Sequence, residues 1–171
     1  MLKAGVIILL FAAASTATAQ VTSSYTDITD KSCKKLKADE ENGILYSAEC
    51  PGVAGFKLNL LEGDLRQTVN IVAPKKKLHE LNLWYIFPGY SAVGQKAEWL
   101  VKDKKPFALI LRVNVAEDPQ DVEKRTSYLV VAKLTEKEIC VTETIKPTST
   151  QNADARKAAE RSGSRPCWTR N

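Results

Sequence analysis

Gly94 to Val115 reads GQKAEWLVKDKKPFALILRVNV. Gln95, Ala97, Trp99 and Val101 alternate with Lys96, Glu98 and Leu100, the period of two that sends one set of side chains to each face of a strand. Lys102-Asp103-Lys104-Lys105-Pro106 supplies a polar turn, and Phe107 to Val115 (FALILRVNV) returns as a second apolar strand. The stretch predicts an antiparallel hairpin and makes a sheet, rather than a helical bundle, the frame of the fold.

The same pattern extends outward on both sides. Upstream, Phe56, Leu58 and Leu60 alternate with Lys57 and Asn59, Glu62-Gly63-Asp64 turns the chain, and Leu65 to Val72 follows as a strand with Leu65, Val69 and Ile71 on one face. Asn42-Gly43 between Lys34–Glu41 and Ile44-Leu45-Tyr46 predicts a smaller hairpin arm, and Pro51-Gly52 breaks the chain after it. Downstream, Ala116 to Lys124 is a charged loop, and Ser127 to Leu134 and Ile139 to Ile145 form another strand pair. Leu78 to Tyr90 (LHELNLWYIFPGY) is compatible with a helical turn and equally with a broken strand, and reads as irregular. Asn152 offers a helix N-cap to Ala153–Arg161, which Gly163 and Pro166 end. Short connections pair successive strands antiparallel. The predicted fold class is therefore mainly β or α+β: a curled antiparallel sheet, as a sandwich or partial barrel, with one C-terminal helix. Because that helix has only alanines on its apolar side, it is expected at the sheet's edge, held by a disulfide.

The chain has 171 residues, 44% hydrophobic and 26% charged, which suits one globular domain and excludes collagen-like, coiled-coil and wholly disordered classes. Lys3, the apolar run Ala4 to Ala14 and the small residues Ala17-Thr18-Ala19 have the order of an export leader. The expected division is residues 1–19 as signal peptide and 20–171 as a single exported domain, periplasmic or secreted. The apolar run is about 11 residues, short of the ~20 that span a bilayer, so no transmembrane segment is expected in the mature chain. Gln20 to Ser32 is polar and rich in Ser and Thr, and reads as a lead that starts flexible and becomes ordered near Cys33.

Cys33, Cys50, Cys140 and Cys167 are an even set in an exported chain, the setting in which disulfides form and persist. Three pairings are possible; the spacing favours Cys33 with Cys50 and Cys140 with Cys167. None belongs to a C-x-x-C pair and the single histidine, His79, lies far from all four in sequence, so no metal site is expected.

Two groups of residues carry possible chemistry. Glu62, Asp64 and Glu98 would serve as general acid and base if the fold brought them together, although Arg66 or Arg112 would neutralise them as ordinary ion pairs. Lys75, Lys76 and Lys77 with Trp84, Tyr85, Phe87 and Tyr90 would bind a polyanion or envelope carbohydrate by charge and stacking, although Trp84 and Phe87 equally suit a core. His79-Glu80 lacks the second histidine of the zinc-protease motif, and no phosphate-binding glycine loop occurs, so no cofactor is expected. With Lys3 removed, 24 basic residues face 20 acidic ones with no long basic block, and no nucleic-acid partner is expected.

CPGVAGFKLNLLEGDLRQTVNI (50–71), GQKAEW (94–99), KPFALILRV (105–113), SYLVVAKL (127–134) and Asn152-Ala153-Asp154-Ala155-Arg156 before Cys167 together resemble a family of small exported proteins of uncharacterised function from alphaproteobacteria. The resemblance covers most of residues 25 to 167. It implies two local disulfides and brings no activity, ligand or catalytic residue; Leu100 stands where similar sequences read Arg after Glu-Trp. The leading expectation is a non-enzymatic domain that binds an envelope component or another protein. A carboxylate-dependent hydrolase and an envelope structural or stress protein are the alternatives.

Overall fold

A computed structural model describes residues 20–169; the expected leader lies outside the described residues. In chain order the strands are β1 (Thr22–Asp27), β2 (Lys34–Lys35), β3 (Tyr46–Pro51), β4 (Lys57–Gly63), β5 (Arg66–Val72) and β6 (Leu78–Glu80). A four-residue helix α1 (Leu83–Ile86) leads to β7 (Ser91–Lys102), β8 (Lys105–Ala116), β9 (Arg125–Leu134) and β10 (Ile139–Ile145), and helix α2 (Gln151–Arg161) closes the fold. All ten strands join one curled open sheet in the order β10-β9-β8-β7-β5-β4-β3-β2, with β1 paired to β7 and β6 to β5. The mainly β class with one C-terminal helix is as the sequence predicts.

The hairpin that opens the sequence argument is present as β7–β8. Asp103 and Lys104 both take positive φ, 50° and 62°, the twist a two-residue hairpin turn requires. Asp64 and Leu65 do the same at 52° and 56° between β4 and β5. Leu65 is therefore a turn residue, 68% exposed, and not the first apolar residue of β5. The alternation of β7 starts later than Gln95, because the pairing with β8 slips between Val93 and Ala97. Gly94 sits in this bulge, where a Cβ would come within 2.8 Å of the Arg112 Cβ. The close approach needs glycine.

That bulge divides β7 between two neighbours. Before it, Ser91 pairs in parallel with Arg66 of β5; beyond it, Lys96 to Val101 pair antiparallel with β1. The sheet forks at this single parallel contact, and its two arms close over one core. Leu58, Leu60, Val69 and Ile71 from one arm meet Trp99, Leu109, Leu111, Val113 and Val130 from the other. Trp99 is fully buried, its ring 5.9 Å from Phe56, and its indole Nε1 donates to Thr26 Oγ1 at 2.9 Å. The polar segment Gln20–Ser32 is thus ordered before Cys33: Thr22–Asp27 is a strand whose Thr26 hydroxyl serves a buried indole.

The reverse face of β7–β9 carries α2. Ala155, Ala158 and Ala159 are at most 1% exposed and pack on Leu100, Ala108, Ile110, Leu129 and Val131. The alanines let the helix backbone approach the sheet closely, so the helix covers a face instead of lying at an edge. Burying Leu100, Ile110, Leu129 and Val131 is worth about 1.5–3 kcal/mol each relative to exposure. The helix begins at Gln151, with Thr150 at the cap position and Asn152 inside the first turn. Asn152 instead accepts from Arg112 at 3.3 Å.

Both disulfides follow the pairing favoured by spacing, Cys33–Cys50 and Cys140–Cys167. The second ties the chain after α2 to β10, where Trp168 N–H donates to the Val141 carbonyl at 2.7 Å. The segment read as irregular holds β6 and α1, with Leu81, Leu83 and Phe87 in the core.

Because Ala158 lies flat against the sheet, Ala158→Leu inserts volume where none is free and should cost about 1–3 kcal/mol. A thermal melt of the oxidised protein should fall by roughly 2–4 °C per kcal/mol for a domain of this size. An unchanged melting temperature would return the helix to the sheet's edge.

Candidate functional site

The three acidic candidates do not converge. Glu62 faces Gln67 across the β4–β5 pair and accepts from its Nε2 at 2.7 Å, while Gln67 Oε1 accepts from the Val93 N–H at 2.8 Å. Asp64 meets Arg66 at 3.3 Å in the exposed turn. Glu98 lies on the helix-covered face of β7, accepting from Arg156 at 2.6 Å and from Ser23 at 2.6 Å. Arg112 bonds Ser127, Gln151 and Asn152 rather than Glu98. Burial of Glu98 alone would raise its pKa, but the hydrogen bonds from Arg156 and Ser23 outweigh burial and hold the carboxyl below its ordinary value. This is the behaviour of a structural ion pair that fastens α2 to β7, and these three residues do not form an acid–base pair.

The aromatic and basic stretch is also divided. Phe87 is core, 7% exposed and 5.1 Å from the Tyr128 ring. Trp84 is half-buried with the Arg66 guanidinium 6.0 Å from its ring centroid, Tyr90 is half-buried, and Tyr85 is 64% exposed. Lys75, Lys76 and Lys77 occupy the turn after Val72, at the end of β5 remote from Arg66 and Trp84. Seven strand residues separate the two ends by about 20 Å. The lysines and the exposed tyrosine do not share a surface.

The lysine turn belongs to another assembly. β5 and β7 run parallel, and β9, antiparallel to β8, runs with them, so the turns after β5, β7 and β9 all reach the same end of the curled sheet. Between them opens a cleft of about 820 Å³. Its floor is apolar: Phe56 from the loop before β4, Pro106 and Phe107 from β8, and Leu134 and Ile139 flanking the β9–β10 turn. Leu134 and Ile139 are themselves buried members of the main core, and Phe56 packs against Trp99, so the floor is continuous with the interior. Lys75, Lys77, Lys104 and Lys105 form the rim with His79 and a single carboxylate, Glu136. All four lysines are exposed, and among the described residues none is within ion-pair distance of a carboxylate. Partial burial, with Lys77 nearby, pushes His79 below its ordinary pKa and favours the neutral ring.

Sequence reading found Lys75 and Lys77 but missed Phe56, Phe107, Leu134 and Ile139 as a site. The usable signal was the recurrence of lysines beside proline in two turns, Pro74-Lys75-Lys76-Lys77 and Lys104-Lys105-Pro106; only the parallel relation of β5 and β7 shows that the turns are neighbours. One grouping of metal-type ligands occurs among the described residues, Glu138 with Cys140 and Cys167. Its sulfurs are joined in the disulfide and Glu138 is paired with Lys133 at 2.5 Å, so it offers no thiolate. No family model, curated protein or solved structure matches the chain.

Since the folded pKa of Glu98 is depressed, its ion pair stabilises the fold above the ordinary glutamate range and the contribution disappears as pH falls through the folded value. Arg156 is 45% exposed, which limits the pair to about 1 kcal/mol. Glu98→Gln should therefore melt about 2–4 °C below the parent at pH 7, with the gap closing as pH falls below the ordinary glutamate range. A gap that persists undiminished at pH 3 would assign the loss to packing.

Proposed function

We propose that this chain is an exported binding domain that takes a small ligand with a substantial apolar part into the cleft at the turn-bearing end of its sheet. The observation that carries the reading is the size and floor of that cleft. About 820 Å³ falls within the roughly 300–1,000 Å³ usual for small-molecule sites, which favour the mouths of curled sheets and barrels. The order of charge, apolar run and small residues in 1–19 supports export, and two disulfides suit an oxidising compartment. Among the described residues no helix is long and apolar enough to cross a membrane. The likeness to small exported alphaproteobacterial proteins points to the same compartment. In this reading the binding surface is the strand ends around Phe107 and Ile139, and not Trp84 and Tyr85.

The uncharged fluorophore N-phenyl-1-naphthylamine, which brightens in apolar surroundings, tests the reading. The oxidised protein should bind it saturably at one site. Ala73→Phe, which places a ring in the cleft, should weaken binding at least tenfold, while Tyr85→Ala should leave it unchanged. Equal binding by parent and Ala73→Phe, or loss of binding in Tyr85→Ala, would overturn the assignment of the site.

A further inference from the structure

We propose that the occupant of the cleft is a free, monomeric, single-chain amphiphile with an anionic head: its apolar chain lies on the Phe56, Phe107, Leu134 and Ile139 floor and its head meets the lysine rim. The inference rests on the binding reading above and adds the chemistry of the ligand.

Three features of the cleft select this class. Its two zones differ in kind, since the floor is made of core side chains and the rim of exposed ammonium groups. Four lysines against Glu136 leave the rim strongly positive, and the absence of ion pairs on those lysines among the described residues leaves their charge for a ligand. A wholly apolar ligand would leave that rim unmatched, and a wholly polar anion would leave the floor wet. An amphiphile satisfies both zones at once.

The recessed floor also decides how the ligand arrives. Leu134 and Ile139 are 7% and 9% exposed, and Phe56 and Phe107 are half-buried. None of these four protrudes, so the floor itself offers no wedge to push into a bilayer surface; beside the rim, Leu78, between Lys77 and His79, is 48% exposed. The chain of the ligand must enter the cleft, and the rim then steers and anchors the head. Lysines fit this task because an ammonium on a flexible stem follows a head whose position changes with chain length.

Competition against N-phenyl-1-naphthylamine, with all amphiphiles held at monomeric concentrations, tests the proposal. Dodecanoate should displace the fluorophore at about tenfold lower concentration than dodecanol in 20 mM salt, and the ratio should shrink to about threefold or less in 0.5 M NaCl as the rim is screened. Dodecyltrimethylammonium should be the weakest of the three. Lengthening the carboxylate from eight to ten carbons should strengthen binding about fourfold per methylene, as expected for burial of each CH₂. The combined Lys75→Gln, Lys77→Gln, Lys104→Gln and Lys105→Gln protein should keep its melting temperature and lose the preference for dodecanoate over dodecanol, a preference that Tyr85→Ala should keep.

Equal displacement by dodecanoate, dodecanol and the ammonium compound would overturn the anionic head and leave the cleft reading standing. Absence of saturable fluorophore binding by the parent protein would instead bring down the cleft reading itself. Lysine-dependent sedimentation with phosphatidylglycerol vesicles, without displacement by dodecanoate, would assign the rim to a membrane surface and overturn the free amphiphile.

Discussion

Trp99 is the side chain around which both arms of the sheet are arranged. Its ring has no exposure, Phe56 closes one side of it, and its one polar atom is met by Thr26 from β1. A buried indole N–H without an acceptor would cost about 1–3 kcal/mol, so the indole fixes β1 along β7 as well as filling the core. The next residue, Leu100, points the other way and takes the alanine face of α2. Two consecutive residues of one strand thus tie together the core, the first strand and the final helix.

The fork in the sheet follows from the same strand. The bulge around Gly94 bends β7 so that its first residues meet β5 and its later ones meet β1. Since β5 and β7 run in the same direction, the turns that follow them reach the same end of the sheet and face one another across the cleft, and the β9–β10 turn joins them. Turns are where lysines are cheapest to place, being solvated, while the strand ends just below them are core. A cleft with an apolar floor and a cationic rim is the physical outcome of that topology. The fork leaves room there because β5 and β7 share one pairing contact and then diverge, with β6 and β1 filling the opened edges.

Strand periodicity made most of this fold legible. The runs at Phe56–Leu60, Trp99–Val101, Phe107–Val115 and Ser127–Leu134 all lie in or beside the observed strands, and cysteine spacing favoured the right partners. The failures share a cause, which is that polarity and side-chain size were read without their partners. Thr22–Asp27 looked like a solvated lead because its half-buried side chains are the small, polar Ser24 and Thr26, of which Thr26 serves by hydrogen bonding to the indole. The helix looked peripheral because alanine has little apolar area, whereas its use here is close approach. Lys75–Lys77 and Trp84–Tyr90 looked like one site because they are near in sequence, but β6 runs back along β5 and carries the aromatics toward its far end. The cleft was the least legible feature, since its floor comes from three separate connections that only the tertiary topology brings together.

The central claim is that a ligand chain lies on the floor between the turns that follow β5, β7 and β9. Amide chemical-shift mapping of the ¹⁵N-labelled, oxidised protein during titration with dodecanoate tests it most directly. The account predicts saturable shifts concentrated at Phe56, Ala73, Lys77, Lys105, Phe107 and Ile139, with Tyr85 and Arg156 still. Shifts centred on Trp84, Tyr85 and Tyr90, or spread over the surface without saturation, would contradict it.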